Sequence, residues 1–391
     1  MRLGILASHP IQYQAPWFRA LSQRANVEVF FAFQPSPQEQ AAGFGSAFVW
    51  DVDLLSGYEH RFLTNRAATP SAERFSGCDT PEIVEVIKSA GFDAFIVSGW
   101  NLKSYWQAIR ACRRHGVPVM VRGDSQLATP RAGVVRAAKE FLYPRLLKQF
   151  DGFLTVGQRN RAYLRHYRVP DQRIFFAPHF VDNEWFEARA QVARADRSAL
   201  RDKWGIGPNG MAALFVGKFI GKKRPADLLQ AAARARARGI DVTPVFVGSG
   251  ELESPLRDKA KELGVPAQFE GFRNQTELPA YYAAADCLVL PSDGGETWGL
   301  VVNEAMACGL PAIVSNAVGC APDLIEEGVT GSEFPVGDAA ALAERIAAVR
   351  AIPPEVLQAG LLRKLAIYSV RTCTDNTLSA AAQLSGSHPT S

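Results

Sequence analysis

Short runs of apolar residues, each followed by a helix-length amphipathic segment, recur along the first half of the chain. The runs are "LGILAS" (3–8), "AFIVSG" (94–99), "PVMVRG" (118–123) and "GFLTVG" (152–157). Short apolar strands that alternate with amphipathic helices are typical of a parallel sheet covered on both faces, because a strand buried on both faces carries no polar side. The first half therefore predicts a doubly wound α/β domain.

The same rhythm begins again after residue 210. Further apolar runs lie at 212–217, 242–248, 267–272, 287–292 and 311–315. The interval 181–206 between the two series is charged and has no strand pattern. We therefore predict two Rossmann-like domains, 1–188 and 189–366, that face each other across a cleft, with a disordered tail at 385–391.

The composition limits the functional classes. The chain has 391 residues with a net charge of +4, which is too small for the strongly basic face expected of a nucleic-acid-binding protein. Its six cysteines stand in no metal-ligand spacing, which favours free buried thiols in a reducing compartment. No apolar run approaches the ~20 residues of a membrane span, and the N-terminal run is too short for a signal segment. We expect a cytoplasmic protein that binds no nucleic acid.

One segment has a pattern that is compatible with contact with a membrane. "RAGVVRAAKEFLYPRLLKQF" (131–150) carries five basic residues among apolar ones. Such a segment can lie on an anionic membrane, which would place the protein at the inner face of the membrane as a peripheral protein. The alternative is a half-buried helix that Pro144 interrupts.

Two lysines follow the apolar run 212–217. Gly217 ends this run, and Lys218 and Lys223 come directly after it. The spacing is not that of a Walker A loop, and no Ser or Thr follows a lysine to hold magnesium. Ligands of doubly wound sheets bind at the carboxyl ends of strands, where two ammonium groups can hold a diphosphate without a metal. The alternative is a solvated basic helix entry.

The stretch "ETWGLVVNEAMACG" combines a loop, a helix start and two glutamates. A helical pattern begins at about residue 299, so the free amides of its first turn form an anion site. Glu296 lies just before this turn, and Glu304 lies about a turn and a half inside the helix. A carboxylate there can accept two hydrogen bonds from a vicinal diol such as a ribose. The spacing therefore predicts a phosphate between two sugars.

These motifs resemble a known family. "ETWGLVVNEAMACGLPAIVS" resembles the Glu–seven residues–Glu signature of retaining GT-B glycosyltransferases in glycosyltransferase family 4, also called glycosyl transferases group 1. "FVGKFIGKKRPADLLQA", "VFVGSGELE" and "GCAPDLIEEGVTG" resemble other segments of that family in the expected order, with Lys218 where arginine is usual. The resemblance covers the second domain.

The resemblance implies a hexosyltransferase of polysaccharide biosynthesis with no metal and no separate cofactor. The donor would be a nucleoside diphosphate sugar such as a UDP-sugar or GDP-sugar, which is a substrate. The acceptor would be a hydroxyl of a glycan, a lipid-linked sugar or a small molecule. Two alternatives are an epimerase or hydrolase of nucleotide sugars with the same fold, and a non-catalytic nucleotide-sugar-binding module.

The resemblance also assigns roles to residues. Lys218 and Lys223 would bind the donor diphosphate, Glu296 would contact the hexose and Glu304 would bind the ribose. A final helix at about 367–384 would cross back to the first domain. The other implied donor-binding positions are Gly217, Phe272, Arg273, Thr297, Gly299, Leu300 and Val301.

The first domain departs from the family pattern. Many members have a glycine pair in the loop after the first strand, where this chain has "SHPIQYQAP", and a histidine after a later strand, where it has "VMVRGDSQ". Asp124 in the latter segment is a catalytic candidate. The candidates on the acceptor side are His9, Gln12, Tyr13, Trp100 and Arg122.

An Asp-Val-Asp sequence at 51–53 resembles the metal-binding motif of the other glycosyltransferase fold. It follows "AFVW" in the first domain and lies outside the diphosphate site placed above. We therefore expect it to hold no metal.

Overall fold

The N-terminal domain is built on one parallel sheet in the computed structural model, which describes residues 1–36, 39 and 48–386. Its strands are β1 (Arg2–Ala7), β2 (Asn26–Phe31), β3 (Glu59–Phe62), β4 (Ala94–Val97), β5 (Val119–Gly123), β6 (Gly152–Thr155) and β7 (Ile174–Phe176). They lie in the order β3-β2-β1-β4-β5-β6-β7. The register places Leu3 of β1 opposite Val27 of β2 on one side and Ala94 of β4 on the other. The order therefore reverses at β1.

Helices cover the faces of this sheet. They are α1 (Ala15–Ser22), α2 (Ile83–Ala90), α3 (Lys103–His115), α4 (Gly133–Leu146) and α5 (Gln158–His166). Helix α3 ends at Gly116, whose φ of 71° is the left-handed conformation that glycine adopts without steric cost.

The C-terminal domain repeats the architecture with six parallel strands. They are β8 (Met211–Val216), β9 (Val242–Val247), β10 (Gln268–Gly271), β11 (Cys287–Leu290), β12 (Ala312–Ser315) and β13 (Gly331–Phe334). Their order, β10-β9-β8-β11-β12-β13, reverses at β8. The carboxyl end of a sheet at such a reversal is where doubly wound folds bind ligands.

Ten helices of the described chain belong to or follow this second sheet. They are α6 (Asn183–Ala193), α7 (Arg197–Lys203), α8 (Pro225–Ala237), α9 (Glu253–Glu262), α10 (Leu278–Ala284), α11 (Leu300–Ala307), α12 (Ala321–Leu324), α13 (Ala339–Val349), α14 (Pro354–Ile367) and α15 (Val370–Gly386).

The central strands of the second sheet are buried along their whole length. Every residue of β8 and β9 is buried, because helices shield both faces of the sheet. Phe215 on β8 is 0% exposed and stacks against Phe219 and Phe246. Truncating such a ring to alanine costs about 3–5 kcal/mol in well-packed cores.

Two connections join the domains. Helix α6 packs against α10 and α11 of the second domain, and the boundary predicted at residue 188 lies inside this helix. Helix α15 packs against α1 and β7, with Cys373 and Ala380 buried in the core of the first domain. It extends to Gly386, and residues 387–391 of the predicted tail lie outside the described part of the chain.

Three of the observed strands were not predicted from the sequence. Strand β3, "EHRF", is an edge strand with alternating exposed residues, and β2 and β13 were also not predicted. All strands that the sequence did predict are present.

The expectation that Pro144 interrupts the basic segment is wrong. Helix α4 runs through Pro144 to Leu146. A proline in the last turn removes one hydrogen bond of the helix, and only two further residues follow it, so the helix tolerates it. Neither α4 nor any other helix in the described ranges is both long and apolar enough to cross a bilayer.

Candidate active site

A cavity of about 450 Å³ lies between the two domains at the carboxyl ends of β8 and β9. The second domain contributes most of its charged lining, and the first domain contributes Gln12, Tyr13 and Trp50. The predicted donor residues that line this cavity are Gly217, Lys218, Lys223, Phe272, Arg273, Glu296, Val301 and Glu304. The fold therefore brings together residues that are up to 87 positions apart in the sequence, from Gly217 to Glu304.

Lys223 and Glu296 form an ion pair at the centre of this cavity. Their side chains are only 14% and 13% exposed, and the Lys223 ammonium contacts Oε2 of Glu296. The hydroxyl of Ser292 donates to the same oxygen at 3.3 Å. This arrangement fixes the glutamate predicted to hold the hexose beside a lysine predicted to hold the diphosphate.

Two further lysines raise the positive charge of the cavity. Lys218 is half-buried, and Lys222 lines the same wall. Burial lowers the pKa of Lys218, and the ammonium groups of Lys222 and Lys223 lower it further, while the Glu73 carboxylate opposes the shift. Clustered cations of this kind favour a bound polyanion, which removes their mutual repulsion.

The start of α11 supplies backbone donors. Gly299 precedes the helix with a φ of 103°, and a Cβ at this position would lie 2.7 Å from Cδ2 of Leu290. Only glycine fits both conditions. The turn directs the first amides of the helix, those of Leu300 and Val301, to the strand end where Val301 lines the cavity.

Glu304 is almost fully buried and uses both carboxylate oxygens. Tyr13 donates its hydroxyl to Oε1 at 2.8 Å, and Tyr282 of α10 donates to Oε2. Burial raises the pKa of Glu304 to about 7, although both phenols and Lys223 favour its ionised form. Tyr282 was not predicted as a site residue. The sequence signal that could have found it is its place in the helix of "YYAAAD", which precedes β11.

The far end of the cavity is aromatic and is closed by the first domain. The ring of Phe272 lies 4.4 Å from that of Phe48, measured between centroids. The amide of Asn274 donates to the backbone oxygen of Val49 at 2.7 Å. Trp50 and Phe272 line the cavity at this end, and aromatic surfaces of this kind suit contact with a nucleobase.

The Asp-Val-Asp sequence lies at this same end. Asp51 accepts a hydrogen bond from the backbone amide of Thr276 at 3.1 Å. Asp53 accepts from the amides of Leu55 and Ser56, so it caps a local turn. Both carboxylates are occupied by protein donors. We expected this stretch to hold no metal and predicted no other role for it, whereas the adjoining Trp50 lines the cavity.

A second cavity of about 370 Å³ adjoins the first and shares Gln12, Trp50 and Lys218 with it. His9 lines it, with Nδ1 at 3.0 Å from the Ser8 hydroxyl. Burial lowers the pKa of His9, so its imidazole is neutral at physiological pH. Glu73, which the sequence did not suggest, also lines this space.

Three other candidates do not line either cavity in the described chain. Asp124 accepts a hydrogen bond from the Thr297 hydroxyl at 2.6 Å, which joins the two domains beside the loop of Glu296. Arg122 is 8% exposed and donates to the backbone oxygen of Pro178. Trp100 packs in the core of the first domain against aromatic rings.

Gln126 makes contacts with the second domain that were not predicted from the sequence. Its side-chain amide donates to the backbone oxygens of Gly294 at 3.0 Å and of Glu296 at 2.9 Å. Gly294 packs so closely on the first domain that a Cβ there would lie 2.1 Å from the backbone oxygen of Ala128. The first domain therefore positions the loop that carries Glu296.

Comparison with known proteins places this geometry in a family. Residues 196–358 match the family model described as Glycosyl transferases group 1. The C-terminal domain is therefore similar to the glycosyl transferases group 1. The matched group 1 domain contains Lys223, Glu296 and Glu304, the residues that surround the cavity.

The curated relatives of this group 1 domain share part of their length with the chain. D-inositol 3-phosphate glycosyltransferase of Geodermatophilus obscurus is 34% identical over 231 residues, which are 56% of this chain and 49% of that protein. The enzyme of the same description from Mycobacterium leprae is 40% identical over 141 residues, 35% of this chain and 32% of that protein. The chain thus spans half or less of the length of these relatives.

Solved structures show that the fold of the whole chain is GT-B. Anabaena HepE in complex with UDP superposes with a TM-score of 0.73 at 18% identity, covering 98% of this chain and 100% of that chain. Sucrose-phosphate synthase from Thermosynechococcus elongatus superposes with a TM-score of 0.71 at 18% identity, covering 99% and 100%. Two doubly wound domains around an interdomain cleft are therefore confirmed.

Proposed function

We propose that this protein is a retaining glycosyltransferase that moves a hexose from a nucleoside diphosphate sugar to an acceptor hydroxyl. The observation that carries the proposal is the Lys223–Glu296 pair beside the start of α11, with Glu304 about a turn and a half further on. Within one cavity, the lysines and the first amides of α11 would bind the phosphates of such a donor. The Glu304 carboxylate would accept hydrogen bonds from its ribose diol.

The physical demand of the reaction is stabilisation of the departing diphosphate. Lys218, Lys223 and the first amides of α11 would face the charge that develops there. Such donors act most strongly where domain closure excludes water. The proposal includes independence from a metal, because the lysines supply the positive charge. The departing phosphate would accept the proton of the attacking hydroxyl on the same face, which retains the anomeric configuration.

Binding of the donor ribose requires a change at Glu304. Its Oε1 accepts the Tyr13 hydroxyl, and this tyrosine belongs to the loop of the first domain. A ribose diol that binds Glu304 would replace the phenol of Tyr13, while Tyr282 on the same domain as Glu304 would keep its hydrogen bond. Tyr13 would therefore hold the ribose site ready in the absence of donor.

The relatives suggest which ligands to test first. HepE was solved with UDP and with UDP-glucose, so a UDP-sugar is the first donor to try. The curated relatives are named for D-inositol 3-phosphate, a small polyol phosphate. The second cavity, with His9 and Glu73, would take the acceptor hydroxyl, which a glycan, a lipid-linked sugar or a small polyol can offer.

The test begins with thermal unfolding in the presence of UDP-, GDP- and ADP-sugars, because a ligand that binds the folded state raises the midpoint. The donor that stabilises most is then followed by nuclear magnetic resonance, with and without an acceptor panel and with and without a chelator. A transferase forms product only with acceptor and keeps the anomeric configuration. Consumption of donor without acceptor would instead indicate the epimerase or hydrolase, and stabilisation without turnover would indicate a binding module.

A further inference from the structure

A third cavity lies behind the candidate site, between α4 and α5. It has a volume of about 240 Å³ and lies on the first domain only. Its lining includes three cationic side chains, those of Arg131, Arg136 and Lys139, together with Tyr163 and Tyr167. Nothing in the proposed transfer reaction uses these groups.

The cations of this cavity outnumber its carboxylates. Glu140 also lines the cavity, and its carboxylate pairs with Nε2 of His166 at 2.7 Å. Lys139 is 8% exposed, and its ammonium donates to the hydroxyl of Tyr163 at 3.0 Å and lies 4.5 Å from the centre of the Tyr143 ring. Within the described residues, no carboxylate lies within 4 Å of the ammonium of Lys139 or of the guanidinium of Arg131 or Arg136. Burying an unpaired ammonium is costly, which points to an anionic partner.

Burial, with a smaller contribution from the nearby Arg131, lowers the pKa of Lys139 to about 8. An anion bound between these groups would reverse both effects, since it would replace lost hydration and screen the repulsion of the two cations. The phenol of Tyr163 would remain as a hydrogen-bond partner of Lys139.

The opposite face of α4 is apolar and exposed. Val134 is 82% exposed, Phe141 66% and Leu142 54%, and their spacing of seven and eight residues places them on one side of the helix. Arg145 lies on this same side, with its guanidinium 4.5 Å from the centre of the Phe141 ring. An apolar ridge flanked by arginines fits the interface of an anionic lipid layer.

We propose that the cavity between α4 and α5 binds the phosphate of an anionic membrane lipid while the apolar ridge of α4 enters the lipid interface. The cavity supplies cations for the phosphate, and the ridge supplies apolar contact for the acyl region. A free phosphate offers the same anion but gives no reason for the exposed ridge. This binding is independent of sugar transfer and stands whether or not the proposed function is correct.

The position of the cavity also connects it to the cleft. Gln126 lines this cavity and donates to the backbone oxygens of Gly294 and Glu296 in the candidate site. A lipid layer at α4 would therefore lie close to the interdomain cleft, where a lipid-linked acceptor could enter.

The experiment measures co-sedimentation of the full chain with vesicles of phosphatidylcholine, alone or mixed with phosphatidylglycerol. The wild type is expected to sediment with the mixed vesicles and to stay in solution with phosphatidylcholine alone. Lys139→Met should weaken the partition about fivefold, the effect expected for loss of one cation at an anionic surface. If Lys139→Met does not fold, Arg131→Gln replaces it, because Arg131 is exposed.

The matched control is Lys148→Gln, an exposed lysine just beyond α4 that does not line the cavity. It should lose less binding than Lys139→Met, and equal losses would overturn the headgroup site in favour of diffuse attraction. Phe141→Ser should weaken vesicle binding and leave thermal stabilisation by inorganic phosphate unchanged. Stabilisation by phosphate through Lys139 without vesicle binding, or no binding of either probe, would overturn the lipid proposal.

Discussion

The two sides of the cleft are built in different ways. On the side of the second domain, Lys223, Glu296 and Glu304 come from two short segments at the ends of neighbouring strands. On the side of the first domain, Tyr13 and Trp50 come from separate loops, and they reach the cavity only because the domains close on each other. The residues on the side of the second domain can therefore be recognised as sequence motifs. Those on the side of the first domain come together only through the packing of separate loops.

The two sides also differ in charge. The second domain presents a cluster of lysines, one of which, Lys223, forms an ion pair with Glu296. Such a cluster suits a diphosphate. The first domain presents phenol, indole and amide groups to this cavity, which suit sugar hydroxyls, and its Glu73 carboxylate acts on Lys218 from the adjoining cavity. Under the proposed function, the charged groups that would bind the donor come from one domain, and the other domain positions and covers them. The following four predictions test that division.

Lys223→Ala should have the largest effect, because it removes a central cation facing the departing phosphate. We expect donor turnover to fall by roughly two to three orders of magnitude. Lys222→Ala is the comparison variant and should lose less turnover. Lys222 also lines the cavity, but it is exposed and forms no ion pair with Glu296 in the described structure. Steady-state kinetics with the stabilising donor checks both, and wild-type turnover of Lys223→Ala would refute the diphosphate assignment.

Glu304→Gln should change how stability depends on pH. The pKa of Glu304 is about 7 in the folded state against an ordinary 4.5, so the folded state retains a proton that the unfolded state loses between these values. The stabilisation from this proton is complete below about pH 4.5 and is lost as the pH rises through 7. Relative to Glu304→Gln, the wild type should lose roughly 3 kcal/mol across this window.

Urea unfolding at a series of pH values measures this difference. Glu326→Gln is the control, because the exposed Glu326 pairs with Arg363 and its pKa is lowered, which gives a pH dependence of the opposite sign. Parallel stability curves for wild type and Glu304→Gln would show that Glu304 ionises normally in the folded protein.

Gln126→Leu should show how far the first domain controls the loop of Glu296. It removes the amide that donates to the backbone oxygens of Gly294 and Glu296, so we expect a loss of about 1–2 kcal/mol in stability and a lower kcat. Gln158→Leu removes a similar amide that donates to Pro322, away from that loop, and should leave kcat unchanged. Equal kinetics for both variants would contradict a positioning role of Gln126.

Tyr13→Phe should have the smallest effect, and it should raise donor affinity, whereas Lys223→Ala and Gln126→Leu should lower turnover. It removes the phenol that the ribose would displace from Glu304, so donor affinity should rise about fivefold, the worth of one net hydrogen bond of ~1 kcal/mol. Tyr282→Phe should not raise affinity, because Tyr282 would keep its bond to Glu304 with donor present. Isothermal titration with the nucleotide checks the pair, and weaker binding to Tyr13→Phe would place Tyr13 among the donor contacts.

Much of the fold could be predicted from the sequence because buried parallel strands read as short apolar runs. Strand β8, "MAALFV", is buried at every position and was recognised, whereas β3, "EHRF", is a polar edge strand and was not. Edge strands face solvent on one side and need no apolar run. The placement of Glu296 and Glu304 around the start of α11 could also be predicted, because local sequence specifies that helix start.

The acceptor side could be predicted only in part. Gln12 and Tyr13 line the cavity, but Trp100 packs in a core and Arg122 supports the last helix. Gln12, Tyr13 and Trp100 follow strands, whereas Arg122 lies within β5 near its end. The strand ends of this wide sheet reach different surroundings. Sequence position alone does not separate them.

The sequence by itself determined the two doubly wound domains and the order of cations, helix start and glutamates along the second. Both follow from local rules, the alternation of apolar runs with helices and the chemistry of a helix N-terminus. Only the tertiary structure decided that Tyr13 binds Glu304, that Gln126 holds the loop of Glu296, and that Lys139 is buried with no ion pair to a carboxylate of the described residues. These contacts join residues far apart in the chain, so they depend on how the domains and helices pack, which no local pattern encodes.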